Sequence, residues 1–227
     1  MAQQHSLSAD QLLATMVEAS DFTLDQRHNL ALVARPPQHV VALLTSVQQQ
    51  LHALAGDALW LPPPSHLHVT VYEITHSKTP QQLQPLVSAI RSHGLRLFEA
   101  LPVERVKFDA PLVNFDTAAV AVTFLPVNVD GYSIAAFRSE LAGRLSELGV
   151  EWDGRYVAPT AHVTIARFVK PELQNATMEQ WLLKLDELRE QCQQWEGGWC
   201  LADARLQVMT DKSWYGGGTV VTEAIHD

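Results

Sequence analysis

Cysteine is scarce in this sequence, which contains only Cys192 and Cys200 among 227 residues. Small secreted domains that depend on disulfide bonds for stability carry a much higher density of cysteine. Two thiols in a chain of this length do not make a disulfide framework, so we expect both to be free and buried.

Long apolar runs are also absent. A membrane-spanning helix needs about 20 consecutive apolar residues, and polar or charged residues interrupt the sequence well before that length. The first eleven residues carry no positive charge, and the apolar stretch at 12–17 is too short for a secretory signal. We therefore expect a cytoplasmic protein that makes no contact with a membrane.

Positive charge is in short supply, with 16 Lys and Arg against 25 Asp and Glu and a net charge of -9. Proteins that follow a long nucleic-acid duplex present a basic stripe to the phosphates, and the basic residues here are scattered. Extended duplex nucleic acid is therefore excluded as a partner. A small phosphorylated ligand, or one end of a nucleic acid, is still compatible with this charge.

Glycine and proline are too few for a fibrous or disordered chain, at 11 and 12 residues, and 47% of the residues are hydrophobic. This composition indicates one compact domain or two small lobes. Residues 1–28 read as a polar extension with a short helix at 8–19, and we expect this extension to be an appendage.

The same order of predicted elements occurs twice after residue 28, with a period of about 90 residues. Each half has a strand, an amphipathic helix, a proline-containing loop and a second strand: 29–34, 37–55, 59–64 and 67–74, then 118–125, 131–148, 157–160 and 162–169. Further helices are predicted at 81–92 and 177–194, further strands within 95–108, and a hairpin from 199–210 and 218–225.

This repetition predicts an α+β fold of two pseudo-symmetric lobes, each a mostly antiparallel sheet with outer helices. The domain covers residues 29–227, with lobes built from about 29–112 and 113–227, and exchange of strands between the lobes is left open. Two lobes imply a central cleft between them, where a ligand site is expected.

The most similar segments of the two halves are His68-Val69-Thr70-Val71 and His162-Val163-Thr164-Ile165. On a strand, residues i and i+2 point to the same face, so each segment presents an imidazole and a hydroxyl together. If both strands face the cleft, two imidazoles and two hydroxyls converge on one place. A single His-x-Thr-x segment is usually only a hydrogen-bonded pair in a sheet, and its repetition at equivalent positions favours a functional site.

This convergence suits a phosphoester. One neutral imidazole takes a proton from the attacking water or hydroxyl, and the other, as imidazolium, protonates the leaving oxygen. The Thr70 and Thr164 hydroxyls can donate hydrogen bonds to phosphate oxygens as charge develops. Neither a metal nor any other cofactor is needed. The residues do not decide which of His68 and His162 is the acid.

With these two motifs in repeated halves, the sequence resembles the 2H phosphoesterases, which are named for two H-x-[ST]-x motifs in duplicated lobes. The segments WLPPPSHLHVTVYEI and APTAHVTIARF look like the LigT branch, the bacterial 2′-5′ RNA ligase and RNA 2′,3′-cyclic phosphodiesterase group. The resemblance spans about residues 29–226. It implies a metal-independent enzyme with His68 and His162 as acid and base and with Thr70 and Thr164 holding the phosphate.

Arg167 stands where LigT-like members carry an arginine near the phosphate. Strict alternation places it on the face opposite His162, so a bulge or the end of the strand is needed to bring it into the cleft. Tyr72 shares the face of His68 and Thr70 by alternation, so it lines the cleft or packs its floor. Trp214 and Tyr215 lie on a Gly-rich turn, where they either stack a nucleobase or hold the turn against the protein.

His66 permits an alternative in which it joins His68 and His162 in a three-histidine metal site, although the preceding prolines favour a loop position for it. The function predicted from the sequence is hydrolysis of a 2′,3′-cyclic phosphate or a 2′-5′ phosphodiester in an RNA end or a small nucleotide, by a monomer. The alternatives are 2′-5′ RNA ligation in the same site, turnover of a different phosphoester, and a non-catalytic module that binds phosphorylated ends.

Overall fold

The computed structural model describes residues 7–99, 101–128, 130–154, 160–211 and 218–224. Among these residues, each of the five segments predicted to be helical forms an α-helix. The α-helices are α1 (Gln11–Ala19), α2 (Gln38–Ala55), α3 (Pro80–His93), α4 (Ile134–Glu147) and α5 (Met178–Gln193). The strands are β1 (His28–Arg35), β2 (Leu59–Trp60), β3 (Val69–Lys78), β4 (Lys107–Phe115), β5 (Ala119–Val127), β6 (Ala161–Phe168), β7 (Trp199–Cys200), β8 (Arg205–Asp211) and β9 (Thr219–Glu223).

The strands form two antiparallel sheets, and the α+β fold with two lobes is confirmed. Sheet 1 has the order β3-β1-β8-β9, and sheet 2 has the order β2-β6-β5-β4-β7. Each sheet contains strands from both halves of the chain, because β8 and β9 pair onto β1 in sheet 1 while β2 pairs with β6 in sheet 2. The motif strands β3 and β6 contact each other where the two sheets meet.

The helices pack through the apolar stripes that the sequence predicts. Helix α2 buries Val40, Leu44, Val47 and Leu51 at spacings of four, three and four residues, which form one face of a helix with 3.6 residues per turn. Helix α4 buries Phe137, Leu141 and Leu145 in the same way. These side chains and the buried faces of both sheets form one continuous apolar core. The core therefore joins the two lobes and fixes the cleft between them.

The N-terminal extension packs against the domain, which corrects the expectation of an appendage. Leu13 and Met16 of α1 are fully buried and contact Val169, the residue that follows β6. Just before α1, the backbone N–H of Asp10 donates to the carbonyl of Phe168 at 2.9 Å. The polar composition of the extension gave no indication of this contact. Two apolar side chains on one helical face are nevertheless enough to pack a short helix against the domain.

Three other segments differ from the prediction. Leu59–Trp60, predicted as part of a loop, forms the edge strand β2 of sheet 2. Where strands were predicted within 95–108, the described residues contain the 3₁₀ turns Gly94–Leu97 and Val103–Arg105, and β4 begins only at Lys107. The predicted run at 199–210 is divided between β7 in sheet 2 and β8 in sheet 1, and β8 forms the expected hairpin with β9. Both cysteines are free; Cys192 is buried and Cys200 is half-buried. None of the helices in the described residues is long and apolar enough to span a membrane.

Candidate active site

The two His-x-Thr-x segments line one cavity of about 610 Å³ between the sheets. His68 lies immediately before β3 and Thr70 is the second residue of that strand, and His162 and Thr164 come from β6. The structure thus brings together the four motif residues that the sequence analysis singled out. Val69, Val71, Val163 and Ile165 alternate with them along the strands and are buried in the core.

His68 is held in a defined orientation by the backbone before it. Its Nδ1 lies 2.8 Å from the carbonyl oxygen of His66, and a carbonyl only accepts, so Nδ1 carries the hydrogen. The neutral ring therefore has its lone pair on Nε2. The same carbonyl accepts a second hydrogen bond, at 2.7 Å, from the guanidinium of Arg35. Because Arg35 anchors this carbonyl, the carbonyl in turn fixes the tautomer of His68.

Both motif histidines favour the neutral form in the unliganded protein. Burial lowers the pKa of His68 to about 4, and the nearby charges of Arg35 and His162 act in the same direction. Burial also lowers the pKa of His162, with further contributions from Arg138 and Arg167. A bound phosphate would oppose these effects, since a negative charge within about 4–6 Å favours the imidazolium.

A β-bulge in each motif strand changes which side chains reach the cavity. In β6, Ala166 pairs with Val120 and Thr164 pairs with Ala121, so Ile165 is the extra residue. The bulge reverses the alternation beyond it, and Arg167 lines the cavity with His162. This is the local irregularity that the sequence analysis required for Arg167 to reach the cleft.

The equivalent bulge in β3 moves Tyr72 away from the cavity. Tyr72 pairs with Leu32 and Thr70 pairs with Val33, so Val71 is the extra residue. Tyr72 therefore shares the face of Leu32, is 6% exposed and meets the ring of Trp152 edge-on. Strict alternation had placed Tyr72 on the face of His68 and Thr70, and this expectation is wrong because a bulge shifts the pattern by one residue. Trp214 and Tyr215 lie outside the described residues.

Several cavity residues were not predicted from the sequence. Glu73 follows the bulge in β3 and occupies the position in the first half that Arg167 has in the second, five residues after the motif histidine. His76 also lines the cavity, although it belongs to neither motif. Asp10, Leu12 and Arg27 contribute from the N-terminal extension. Comparison of the two repeats beyond the motifs would have pointed to Glu73; nothing in the sequence pattern pointed to the extension.

The helix of each half is hydrogen-bonded to the motif strand of the other half. Gln48 of α2 donates from Nε2 to the carbonyl of Ile165, the bulge residue of β6, at 2.8 Å. Arg138 of α4 donates from Nε to the carbonyl of Val71, the bulge residue of β3, at 2.7 Å. Gln48 and Arg138 are both only 3% exposed. These reciprocal bonds hold the two bulges, and therefore the two motifs, in a fixed relation.

The cavity is rich in groups that can be positive, although the protein is acidic. Arg27, Arg167 and four histidines line it, against the carboxyl groups of Asp10 and Glu73. Because His68 and His162 favour the neutral form, the charged groups of the cavity are chiefly these two arginines and two carboxyl groups. Within the part of the chain that the structure describes, no three or more His, Cys, Asp or Glu side chains are grouped to hold a metal ion. His66 lines the cavity but forms no such group with His68 and His162.

Comparisons with known proteins show similarity at the level of the fold. A conserved protein of unknown function from Agrobacterium tumefaciens superposes with a TM-score of 0.58 and 15% sequence identity, over 86% of this chain and 85% of that one. A protein from Thermus thermophilus gives a TM-score of 0.40 and 19% identity, over 65% of this chain and 78% of that one. No protein-family model matches the sequence, and the search of curated proteins found no match.

Proposed function

We propose that this protein is a metal-independent phosphoesterase that hydrolyses a 2′,3′-cyclic phosphate or a 2′-5′ phosphodiester in an RNA end or a small nucleotide. The observation that carries the proposal is the position of His68, Thr70, His162, Thr164 and Arg167 around one cavity. Two imidazoles, two hydroxyls and a guanidinium are together the groups that an acid-base phosphoester reaction uses. The sequence resemblance to the 2H phosphoesterases supports the same activity.

In this proposal His68 is the general base. Its pKa of about 4 keeps the ring neutral at neutral pH, and its hydrogen bond from Nδ1 to the His66 carbonyl leaves Nε2 to accept a proton. Nε2 removes a proton from water as the water oxygen attacks phosphorus. A base held in one tautomer by its second nitrogen needs no reorientation during the reaction.

His162 is then the general acid. As imidazolium it gives its proton to the ribose oxygen that leaves phosphorus, so one P–O bond forms and one breaks. Burial, Arg138 and Arg167 lower the pKa of His162 in the unliganded protein. The negative charge of the bound phosphate must therefore raise this pKa, so that His162 binds a proton. Thr70, Thr164 and Arg167 stabilise the negative charge that grows on the phosphate oxygens. The two histidines exchange protons through solvent before the next turnover.

The test is mass spectrometry of a short RNA that ends in a 2′,3′-cyclic phosphate, incubated in EDTA. The wild-type protein should add one water to the RNA, and His68→Ala and His162→Ala should each slow the reaction by about 100-fold or more. His52→Ala is the matched control, because His52 is exposed on α2, and it should react at the wild-type rate.

Undiminished product from either cavity variant, or loss of activity in EDTA with recovery on addition of zinc, would contradict two-histidine catalysis. If the cyclic RNA is unchanged, a 2′-5′-linked dinucleotide is tested under the same conditions. If neither substrate reacts but the protein binds a nucleotide 2′-phosphate, the protein is instead a non-catalytic module that binds phosphorylated ends.

A further inference from the structure

A row of paired residues crosses sheet 1 from the first motif to the C-terminal hairpin. Thr70 of β3 pairs with Val33 of β1. Val33 in turn pairs with Gln207 of β8, and Gln207 pairs with Glu223 of β9. Residues that pair directly on antiparallel strands present their side chains on the same face. Gln207 and Glu223 therefore lie on the face of the sheet that carries Thr70.

Gln207 uses both ends of its amide on this face. Its Oε1 accepts a hydrogen bond from Nε of Arg35 at 3.4 Å, and its Nε2 donates to Oε2 of Glu223 at 3.0 Å. Gln207 is only 6% exposed, so the amide is largely shielded from solvent. An amide accepts at one end and donates at the other. This suits a position between a guanidinium, which only donates, and a carboxylate, which only accepts.

Arg35 connects this amide to the first motif. Nη1 of the same guanidinium donates to the carbonyl of His66 at 2.7 Å, and this carbonyl also accepts from Nδ1 of His68 at 2.8 Å. Because the guanidinium is a rigid planar group, a bond that holds Nε also sets the direction of Nη1. Four consecutive hydrogen bonds thus lead from Glu223 through Gln207 and Arg35 to the ring of His68.

The tautomer of His68 depends on the last of these bonds. Nδ1 carries the hydrogen because the His66 carbonyl is in place to accept it. If this carbonyl moves out of line, Nδ1–H loses its acceptor, and the ring then favours the other neutral form, with the hydrogen on Nε2. A ring of that form has no lone pair on Nε2. It cannot take a proton from the attacking water at this atom.

We propose that Gln207 and Glu223 are positioning residues, which hold His68 in its Nδ1–H tautomer through Arg35 and the His66 carbonyl. This inference rests on the proposed function, in which Nε2 of His68 accepts the proton. Gln207 is the better residue to test. The charge of Arg35 also lowers the pKa of His68, so removal of Arg35 would change two properties of the ring, whereas Gln207 is uncharged.

The first experiment is nitrogen NMR of labelled imidazoles in the unliganded protein at neutral pH, since the chemical shifts show which ring nitrogen carries the hydrogen. The wild type should show Nδ1–H at His68, and Gln207→Leu should show a mixture with Nε2–H. In the double variant Gln207→Glu/Glu223→Gln, the new carboxylate can accept from Arg35 and the new amide can donate to it. This variant should therefore keep the wild-type tautomer.

The matched control is Gln191→Leu, which removes an exposed glutamine of α5 that bonds Gln50 and should leave His68 unchanged. The second experiment measures kcat and KM with the short RNA that ends in a 2′,3′-cyclic phosphate. Gln207→Leu should lower kcat by about 10-fold, the scale of one hydrogen bond to a charged group. KM should stay within about 2-fold, because fewer rings are competent while substrate binding is unaffected.

An unchanged His68 tautomer in Gln207→Leu would overturn the proposal, and so would a folded double variant with mixed tautomers. If thermal melting shows that Gln207→Leu does not fold, Glu223→Leu on the edge strand β9 is measured instead. Mixed tautomers there support the proposal, and an unchanged tautomer rejects it. If the wild type does not turn over the RNA, the proposed function fails for this substrate, and the NMR result in the unliganded protein still decides whether Gln207 positions His68.

Discussion

Acidification should destabilise the protein through His68, and the size of the effect follows from its environment. Burial holds the pKa of His68 at about 4, against 6.5 for an exposed histidine. Between these two pH values the unfolded chain binds a proton that the folded protein excludes, so the free energy of unfolding falls as the pH falls. A difference of one pKa unit corresponds to about 1.36 kcal/mol. His68 should therefore account for a loss of about 3 kcal/mol between pH 7 and pH 4.

The matched variant is His68→Asn, because an asparagine amide can replace Nδ1 as the donor to the His66 carbonyl but does not titrate. Urea unfolding of both proteins at pH 7, 6, 5 and 4 gives the pH dependence of each. The wild type should lose more stability than the variant, with a difference of about 3 kcal/mol accumulated by pH 4. The contribution of the other titrating groups is shared by the two proteins and cancels to first order.

Parallel stability curves for the two proteins would refute this reasoning. They would mean that His68 has an ordinary pKa in the folded state, and that the cavity hydrates the imidazolium. The assignment of His68 as a neutral base would then lose its physical ground.

Three further outcomes follow from the site. The pH optimum of kcat/KM should lie on the acid side of neutral, between about 4 and 6.5. The base His68 must be deprotonated, which requires a pH above about 4, and the acid His162 must be protonated although its pKa is lowered. A profile that still rises at pH 8 would contradict these roles. Gln48→Leu should lower the free energy of unfolding by about 1–3 kcal/mol, because it leaves the carbonyl of the bulge residue Ile165 without this hydrogen bond. Arg138→Met should raise the pKa of His162 in an NMR titration, because it removes a nearby positive charge. An unchanged pKa would show that Arg138 acts only structurally. Leu13→Ala removes the buried anchor of α1 and should cost about 2–5 kcal/mol locally, seen as faster amide hydrogen exchange in α1 than in β5; unchanged exchange would mean that the extension is held by other contacts.

The sequence predicted most accurately those helices and strands whose residues follow a strong periodic pattern. Val40, Leu44, Val47 and Leu51 define α2, and the two H-x-T-x segments mark equivalent strands of a repeat. Sheet membership was not predictable in the same way, because short strands such as β2 and β7 contain only two residues each. Whether such a strand pairs with one sheet or the other depends on packing between distant parts of the chain.

The limits of sequence reasoning at the site come from the bulges. A β-bulge leaves no periodic signal, yet it decides that Tyr72 packs against Trp152 while Glu73 reaches the cavity. The side chains that hold the bulges, Gln48 and Arg138, lie on helices of the opposite half. No local pattern marks such residues, since a buried Gln or Arg on an amphipathic helix cannot be told from an exposed one by composition.

The central claim, that two imidazoles face one phosphate, is tested most directly by histidine NMR. Labelled imidazoles are followed while a nucleoside 2′-monophosphate is added to the wild-type protein. The signals of His68 and His162 should move together and saturate at one ligand concentration, and both pKa values should rise in the complex because the phosphate favours the imidazolium. The signal of the exposed His52 should stay in place. Movement of only one of the two, or saturation at different concentrations, would contradict the account.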